Sequence, residues 1–301
     1  MNWLRRIGIG FAILIVILAA GLSTLYAVSE RRLAKMYGEV KPHPVVVHAD
    51  SATLERGRHL ATAVGKCGDC HKADFGGGVF INDAAIGLVA APNLTRGKGG
   101  VIGKLDDAML ERAIRHGVGY DGRGLWIMPA YELQFVADDD LAAIIAYLRS
   151  VPPVDRETPV RHLGPVGRAL FVGGQLPLVD AVRIDHAATH VTSMPPAVSE
   201  AYGKYSARIG GCNGCHGETL SGGPIPGAPP EWKPAANITP TGLKGYDESA
   251  FFTLLRTGKR PAGTMVDPVM PYKYTRDLSD DEIRAIWMYL KTVPPKEYGG
   301  R

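Results

Sequence analysis

The chain has 301 residues, 46% of them hydrophobic and 21% charged, a composition that excludes a largely disordered protein and a length beyond what one compact domain needs. The formal charge of +4 is unevenly placed: residues 1–52 carry 6 Lys+Arg against 3 Asp+Glu, 53–153 carry 11 against 12, 154–198 carry 4 against 4, and 199–301 carry 13 against 11. The excess sits mostly beside the hydrophobic segment, which points to a membrane surface and excludes a basic nucleic-acid stripe.

From Ile7 to Val28 run 22 residues without a charge, about 33 Å as a helix against a hydrocarbon core of roughly 30 Å. Arg5 and Arg6 precede the run and Arg31, Arg32 and Lys35 follow it, so the positive-inside rule is nearly silent on orientation. Residues 1–36 read as a retained signal-anchor helix. Cleavage at Ala27-Val28-Ser29 is the alternative, although the apolar run exceeds the usual signal-peptide core of about 7 to 15 residues. Residues 37–52, with Pro42 and Pro44, read as a short extended linker.

The first module is expected over 53–153. Thr53 to Gly65 has a helical stripe of Leu54, Leu60, Ala61 and Val64, which delivers the chain to Cys67-Gly68-Asp69-Cys70-His71. C-x-x-C-H is the attachment motif of haem c: the two thiols add to the vinyl groups, and the adjoining imidazole is offered to the iron. The motif returns 145 residues later as Cys212-Asn213-Gly214-Cys215-His216, and the two copies use all 4 cysteines. Two covalently bound haem c groups are therefore expected, with His71 and His216 as proximal ligands and no disulfide. A four-cysteine zinc site is the competing reading. The His after each second Cys, the separation of the pairs and the export-type segment argue against it. Haem attachment on the exported side also fixes the orientation of the anchor, with the N-terminus in the cytoplasm.

Further along, Leu105 to His116 is helical in pattern through Met109, Leu110, Ala113 and Ile114, with Gly117 as its stop. After Trp126-Ile127-Met128-Pro129 comes a helix opened by Asp138-Asp139-Asp140, whose buried stripe is Leu141, Ile144, Ile145 and Leu148, ending before Pro152-Pro153. A second axial donor decides the chemistry of each haem, and a soft thioether raises the potential. Met128, aimed by a rigid Met-Pro loop, is the expected donor. Met109 reads as core, and His59 and His116 are the imidazole alternatives.

Residues 199–301 repeat the first module. Asn93-Leu94-Thr95 returns as Asn237-Ile238-Thr239, Ile114-Arg115-His116-Gly117 as Leu255-Arg256-Thr257-Gly258, Met128-Pro129 as Met270-Pro271, and Tyr147-Leu148 through Pro153 as Tyr289-Leu290 through Pro295. A period of one whole module means duplicated domains. The repeat selects Met270 over Met265 as the second distal ligand. Tyr147 and Tyr289 are expected to pack on the first helix of each module near Gly57 and Gly203. Between the modules, 154–198 reads as an ordered connector lying over both, because Leu170, Phe171, Leu176 and Leu178 have no place in a free linker. His162, His186 and His190 read as surface or hydrogen-bonding residues.

C-x-x-C-H, N-[LI]-T, an R-x-G helix end, M-P, an acidic helix start and Y-L-[RK]-[ST]-V-P-P, in that order over about 53–153 and 199–295, resemble the cytochrome c subunits of membrane-bound bacterial dehydrogenases, of which the alcohol dehydrogenase cytochrome is the familiar case. That cytochrome carries three haem motifs where this chain has two. The resemblance implies an all-α chain of two tandem class I-type cytochrome c domains behind one transmembrane helix. It implies thioether bonds at Cys67, Cys70, Cys212 and Cys215 and axial ligands His71, Met128, His216 and Met270. It also implies a dihaem relay that is not itself an enzyme, held in the bacterial inner membrane with its haem domains in the periplasm. Its expected partners are a dehydrogenase as donor, a respiratory-chain component as acceptor and membrane lipid, with no nucleic acid. The alternatives are a dihaem enzyme of peroxidase or thiosulfate dehydrogenase type with one exchangeable ligand, and a fixed haem subunit of a respiratory complex.

Overall fold

The computed structural model describes residues 2–43 and 45–301; Met1, the first residue of the expected anchor, and Pro44, one of the two linker prolines, lie outside the described residues. The first helix, α1 (Asn2–Leu33), has 32 residues, about 48 Å by its rise per residue. Its Trp3–Leu33 stretch is long and apolar enough to cross a membrane, and its apolar window is not covered by the rest of the protein. The C-terminal end of α1 is docked. Arg168 in the connector donates to Ser29 Oγ and to the Glu30 carboxylate at 2.6 Å each and lies over the Tyr26 ring. Arg32 donates to the Val172 carbonyl at 2.8 Å.

Asp50 caps α2 (Ser51–His59) by accepting from the Thr53 amide at 3.0 Å, the local reason the helix begins there. The helix continues as a π-helical stretch, Leu60–Val64. After α3 (Cys67–His71) come antiparallel strands β1 (Gly78–Asp83) and β2 (Gly87–Ala91), paired from Gly78 opposite Ala91 to Asp83 opposite Gly87 with a bulge between Val79 and Ile81. The next helix, α4 (Asp107–His116), is capped by Asp106 and stopped by left-handed Gly117. The one-turn α5 (Ala130–Leu133) and α6 (Asp138–Ser150) complete the first module. From the connector, β3 (His162–Leu163) adds to β2 and α7 (Pro165–Val172) packs on the end of α1. The second module has α8 (Glu200–Ile209), α9 (Cys212–His216), α10 (Glu248–Thr257), α11 (Tyr272–Thr275) and α12 (Asp280–Thr292). The chain is mostly helical, as expected, and the small three-stranded sheet of the first module is an addition to that expectation.

In each module the first helix crosses the last at a glycine. A Cβ on Gly57 would lie 1.9 Å from the Ala143 carbonyl oxygen, and one on Gly203 would lie 1.9 Å from that of Ala285. Backbone-to-backbone contact this close requires the absence of a side chain. Tyr147 sits at the first crossing, where its Cβ would be 2.9 Å from a Cβ on Gly57, and Tyr289 packs against the core of the second.

One continuous apolar core joins Leu60, Phe75, Leu141 and Ile145 of the first module to Tyr202, Leu220, Ile283 and Leu290 of the second. Burial of each such side chain stabilises by about 1.5–3 kcal/mol, so the modules are not beads on a string. A second, smaller core contains Tyr37, Val40, Val118, Leu163, Leu178, Val179 and Ala181, with Phe171 and Leu176 packed against it. The connector is thus ordered, and its apolar residues pack mainly on the first module and the segment after the anchor. Towards the second module, Pro177 lies beside Gly227.

Candidate haem sites

Each C-x-x-C-H segment is a five-residue helix entered through a left-handed residue and left through an extended residue of positive φ. Lys66 (φ 52°) precedes α3 and Lys72 (φ 66°) follows it; Gly211 (φ 72°) and Gly217 (φ 83°) hold the same places around α9. The first module thus keeps lysine where the second has glycine, at a cost of roughly 1–3 kcal/mol per residue. Cysteines three apart on one helical turn present both sulfurs on one side, with the imidazole next to them.

Both histidines are buried, and both are oriented by a backbone carbonyl. His71 Nδ1 donates to the Pro92 oxygen at 2.9 Å and His216 Nδ1 to the Ala236 oxygen at 2.7 Å. A carbonyl only accepts, so the proton is on Nδ1 and the lone pair is on Nε2, which has no hydrogen-bond partner among the described residues. Burial holds both imidazoles below their ordinary pKa, which favours the neutral, ligating form. Burial also pushes the thiols of Cys67, Cys70 and Cys212 up to about 11, the mark of an apolar surround. All four thiols are free of disulfides. Two oriented imidazoles, each beside two unpaired thiols in an apolar setting, fit haem c and do not resemble a zinc cluster.

The N-[LI]-T motif holds the orienting carbonyls. The Asn93 side-chain oxygen accepts from the Thr95 amide and hydroxyl at 2.9 and 2.8 Å, while its Nδ2 donates to the Val154 and Arg156 carbonyls at 2.7 and 3.1 Å. Asn237 does the same with Thr239 and the Lys296 carbonyl. The residue after each orienting carbonyl is therefore stapled to the Pro-Pro segment beyond the last helix. The motif is visible in the sequence, but its job is not, because its partners lie about 60 positions away. Asn93→Ala should leave buried partners unsatisfied at roughly 1–3 kcal/mol per group; the check is an unfolding free energy from urea titration lowered by that amount, with the haem still attached.

Met128 and Met270 lie in loops of the same form. Pro129 (φ −78°, ψ 51°) and Pro271 (φ −80°, ψ 51°) each open a one-turn helix, and both methionines pack half-buried against the main core. Met265 is 53% exposed. Met109 departs from expectation: it is half-buried near the start of α4 and stands outside the core, which α4 enters through Leu110 and Ile114. His59 Nε2 donates to the Glu282 carboxylate at 2.7 Å, and His116 lies 3.0 Å from His186 Nδ1. Both imidazole alternatives are thus engaged elsewhere.

The comparisons with known proteins follow the same division. The family described as cytochrome c oxidase, cbb3-type, subunit III matches residues 52–148, and the family described as cytochrome c matches residues 201–294. The chain is a tandem of two cytochrome c domains. Each holds one covalently bound haem c. A diheme cytochrome c-type protein of Cereibacter sphaeroides is 27% identical over 86% of this chain and 92% of its own length. The cytochrome c subunit of the quinone alcohol dehydrogenase of Gluconacetobacter polyoxogenes is 29% identical over 82% of this chain, and the gluconate 2-dehydrogenase cytochrome c subunit of Pantoea cypripedii is 29% identical over 83%. The matched region spans only 57% of the alcohol dehydrogenase cytochrome and 61% of the gluconate dehydrogenase cytochrome.

The two cytochrome c domains meet through a pseudo-symmetric set of contacts that sequence reading missed. Tyr205 of α8 donates to Asp140 of α6 at 2.7 Å, and at the matching place His59 of α2 meets Glu282 of α12. Arg56 joins the two pairs, with Asp140 at 2.8 Å and Glu282 at 3.7 Å. The attachment helices belong to the same interface. Asp69, inside the first motif, pairs with Lys273 at 2.9 Å and accepts from the Tyr274 hydroxyl at 3.0 Å, just after Met270-Pro271. Glu132, just after Met128-Pro129, faces Arg208 at 3.5 Å and lies against Gly214 in the second motif. Lys66 Nζ donates both to Val64 and across the interface to the Gly210 carbonyl.

Proposed function

We propose that this protein relays single electrons at the periplasmic face of the bacterial inner membrane, from a dehydrogenase to the respiratory chain. The observation that carries the reading is the interface: the first attachment helix is tied through Asp69 to Lys273 and Tyr274 beside Met270-Pro271, Glu132 beside Met128-Pro129 pairs with Arg208 of α8 and lies next to the second attachment helix, and both domains share one core. Cys67, Cys70, Cys212 and Cys215 would form the thioether bonds, with His71 and His216 as the proximal ligands and Met128 and Met270 as the distal ones. Bound haem c supplies a one-electron ferric/ferrous couple. The protein's own part is to orient the imidazoles through the Pro92 and Ala236 carbonyls, to keep the sites apolar, and to present a soft second donor that favours the ferrous state. A methionine opposite each histidine would leave no open place for substrate, which is why the reading is a carrier and not an enzyme. Names of relatives that are dehydrogenase cytochrome subunits support the choice of donor, and α1 supports the anchor.

Affinity isolation of the full-length chain from native membranes tests this. A dehydrogenase should co-purify at fixed ratio, and that enzyme's substrate should reduce the haem absorbance. Binding of cyanide or carbon monoxide by the undenatured resting protein, with turnover of peroxide or thiosulfate, would overturn the reading in favour of an enzyme.

A further inference from the structure

At the far end of α4, away from both attachment motifs in sequence, Glu111 and His116 meet His190 of the connector. One ligating atom from each lies within 4.8 Å of the others. Glu111 is fully buried, and neither of its carboxylate oxygens has a hydrogen-bond partner among the described residues. A buried carboxylate without partners is costly, and native proteins keep one where something else neutralises it.

The surrounding hydrogen bonds fix where the protons sit. His186 Nε2 lies 3.0 Å from the Ala181 carbonyl, which only accepts, so Nε2 carries a proton. In neutral His186 the other nitrogen, Nδ1, is then an acceptor. It sits 3.0 Å from His116 Nδ1, which must donate to it. The proton of neutral His116 is thereby placed on Nδ1, and its Nε2 lone pair faces the Glu111 carboxylate at 3.5 Å. A lone pair and an anion facing each other need a cation between them.

The charged neighbours do not supply it fully. Arg115 Nη1 lies 3.6 Å from Glu111 Oε1, but the rest of that guanidinium donates to the Val136 carbonyl and to Asp138. Pairing through Nη1 would serve one oxygen and leave the second oxygen and the His116 lone pair as they are. His43 is turned to Asp138 at 3.6 Å. Nor does the fold demand these groups. In the duplicate helix α10, Phe252 and Thr257 stand where Glu111 and His116 stand in α4.

We propose that Glu111, His116 and His190 form a site for a zinc-class divalent cation that clamps the connector to the first cytochrome c domain. Two imidazoles and a carboxylate are a donor set of zinc sites, with water in the fourth position. His186, fixed by Ala181, is the outer partner that sets the His116 tautomer. Zinc bonds of about 2.0–2.2 Å require the three ligands to draw closer. The ligand free of helix or strand in that closure is half-buried His190, on an irregular segment. The clamp acts beside the Met128 loop, because the same connector accepts from the Ile127 amide through Leu178 at 2.7 Å and from the Tyr131 amide through Asp180 at 3.1 Å.

The test uses the tag-free, full-length holoprotein, stripped with a chelator, dialysed against micromolar zinc chloride and washed, with zinc counted by mass spectrometry against the two haem irons. About one zinc per two irons is expected in the wild type and in His162→Ala, whose imidazole is exposed, with at least a tenfold loss in Glu111→Gln and in His190→Ala. Deuterium uptake over residues 185–192 should fall on zinc addition in the wild type and in His162→Ala, and should not change in Glu111→Gln or His190→Ala. His190→Ala lies outside the core, so it reports even where Glu111→Gln fails to fold, and haem absorbance monitors both. A wild type that retains no zinc, or equal retention in both variants, overturns the proposal and leaves a proton shared by Glu111 and His116 in its place.

Discussion

Alanine at Gly203 is expected to abolish stable folding of the second cytochrome c domain, or to lower its stability by more than about 3 kcal/mol, the range reached when a core is overpacked or a backbone is forced apart. The added carbon would lie 1.9 Å from the Ala285 oxygen and 2.9 Å from the Ile286 nitrogen. Both are backbone atoms of α12, and no rotamer change relieves the contact. The helices must separate by more than an ångström, and α12 also carries Ile283 and Leu290 of the shared core and Glu282 of the domain interface. Gly57→Ala should do the same in the first domain against Ala143. Gly245→Ala is the matched control, since a Cβ there meets nothing within 4 Å, and restricting the unfolded chain makes such a change neutral or mildly stabilising. Thermal and urea midpoints of the holoproteins decide the matter: a Gly203→Ala midpoint indistinguishable from that of Gly245→Ala would mean the crossing is looser than described.

What could be read from the sequence was local or periodic. C-x-x-C-H states its chemistry in five residues, and the repeat carries Met270 and its Pro into register with Met128 because a duplicated module keeps its spacing. The connector's order is also legible, since Phe171, Leu176 and Leu178 are too apolar to stay in water. What could not be read depends on partners distant in the chain. β1 and β2 are short, and their third strand is supplied from His162–Leu163, some 70 positions on; no local signal distinguishes them from loop. His59 and Glu282 are 223 positions apart, and each alone is an ordinary polar residue on a helix. Met109 shares a helical stripe with Leu110, Ala113 and Ile114, which makes it read as core. That stripe is broader than the apolar face α4 actually buries, which is Leu110 and Ile114. Glu111 and His116 have the look of polar-face residues and instead lie inside, because the connector covers that side of α4.

The proposed distal ligands, Met128 and Met270, separate a carrier from an enzyme, and replacing them should have the largest effect on function. Met128→Ala and Met270→Ala should each remove one site's share of the methionine-sulfur charge-transfer absorption of the ferric protein and open one axial position to cyanide or carbon monoxide. Met109→Leu and Met265→Leu should leave the spectrum intact. One is half-buried outside the core and the other is 53% exposed, and swaps of similar volume cost less than about 1.5 kcal/mol. The two domains should differ in one respect. The Met270 loop has no counterpart to the strain at Ile127, a β-branched residue at φ 58° whose amide is held by the connector carbonyl of Leu178, a conformation that such residues adopt only when their surroundings impose it. Weakening the connector should therefore loosen the Met128 loop and leave Met270 untouched. Leu178→Ala removes a fully buried side chain from the smaller core, at a cost of about 2–5 kcal/mol. It is expected to broaden or diminish the sulfur absorption of the first site only. Loss of the sulfur signal in Met109→Leu, with Met128→Ala unaffected, would show that the first domain takes its second donor from α4 and that the repeat does not extend to the iron.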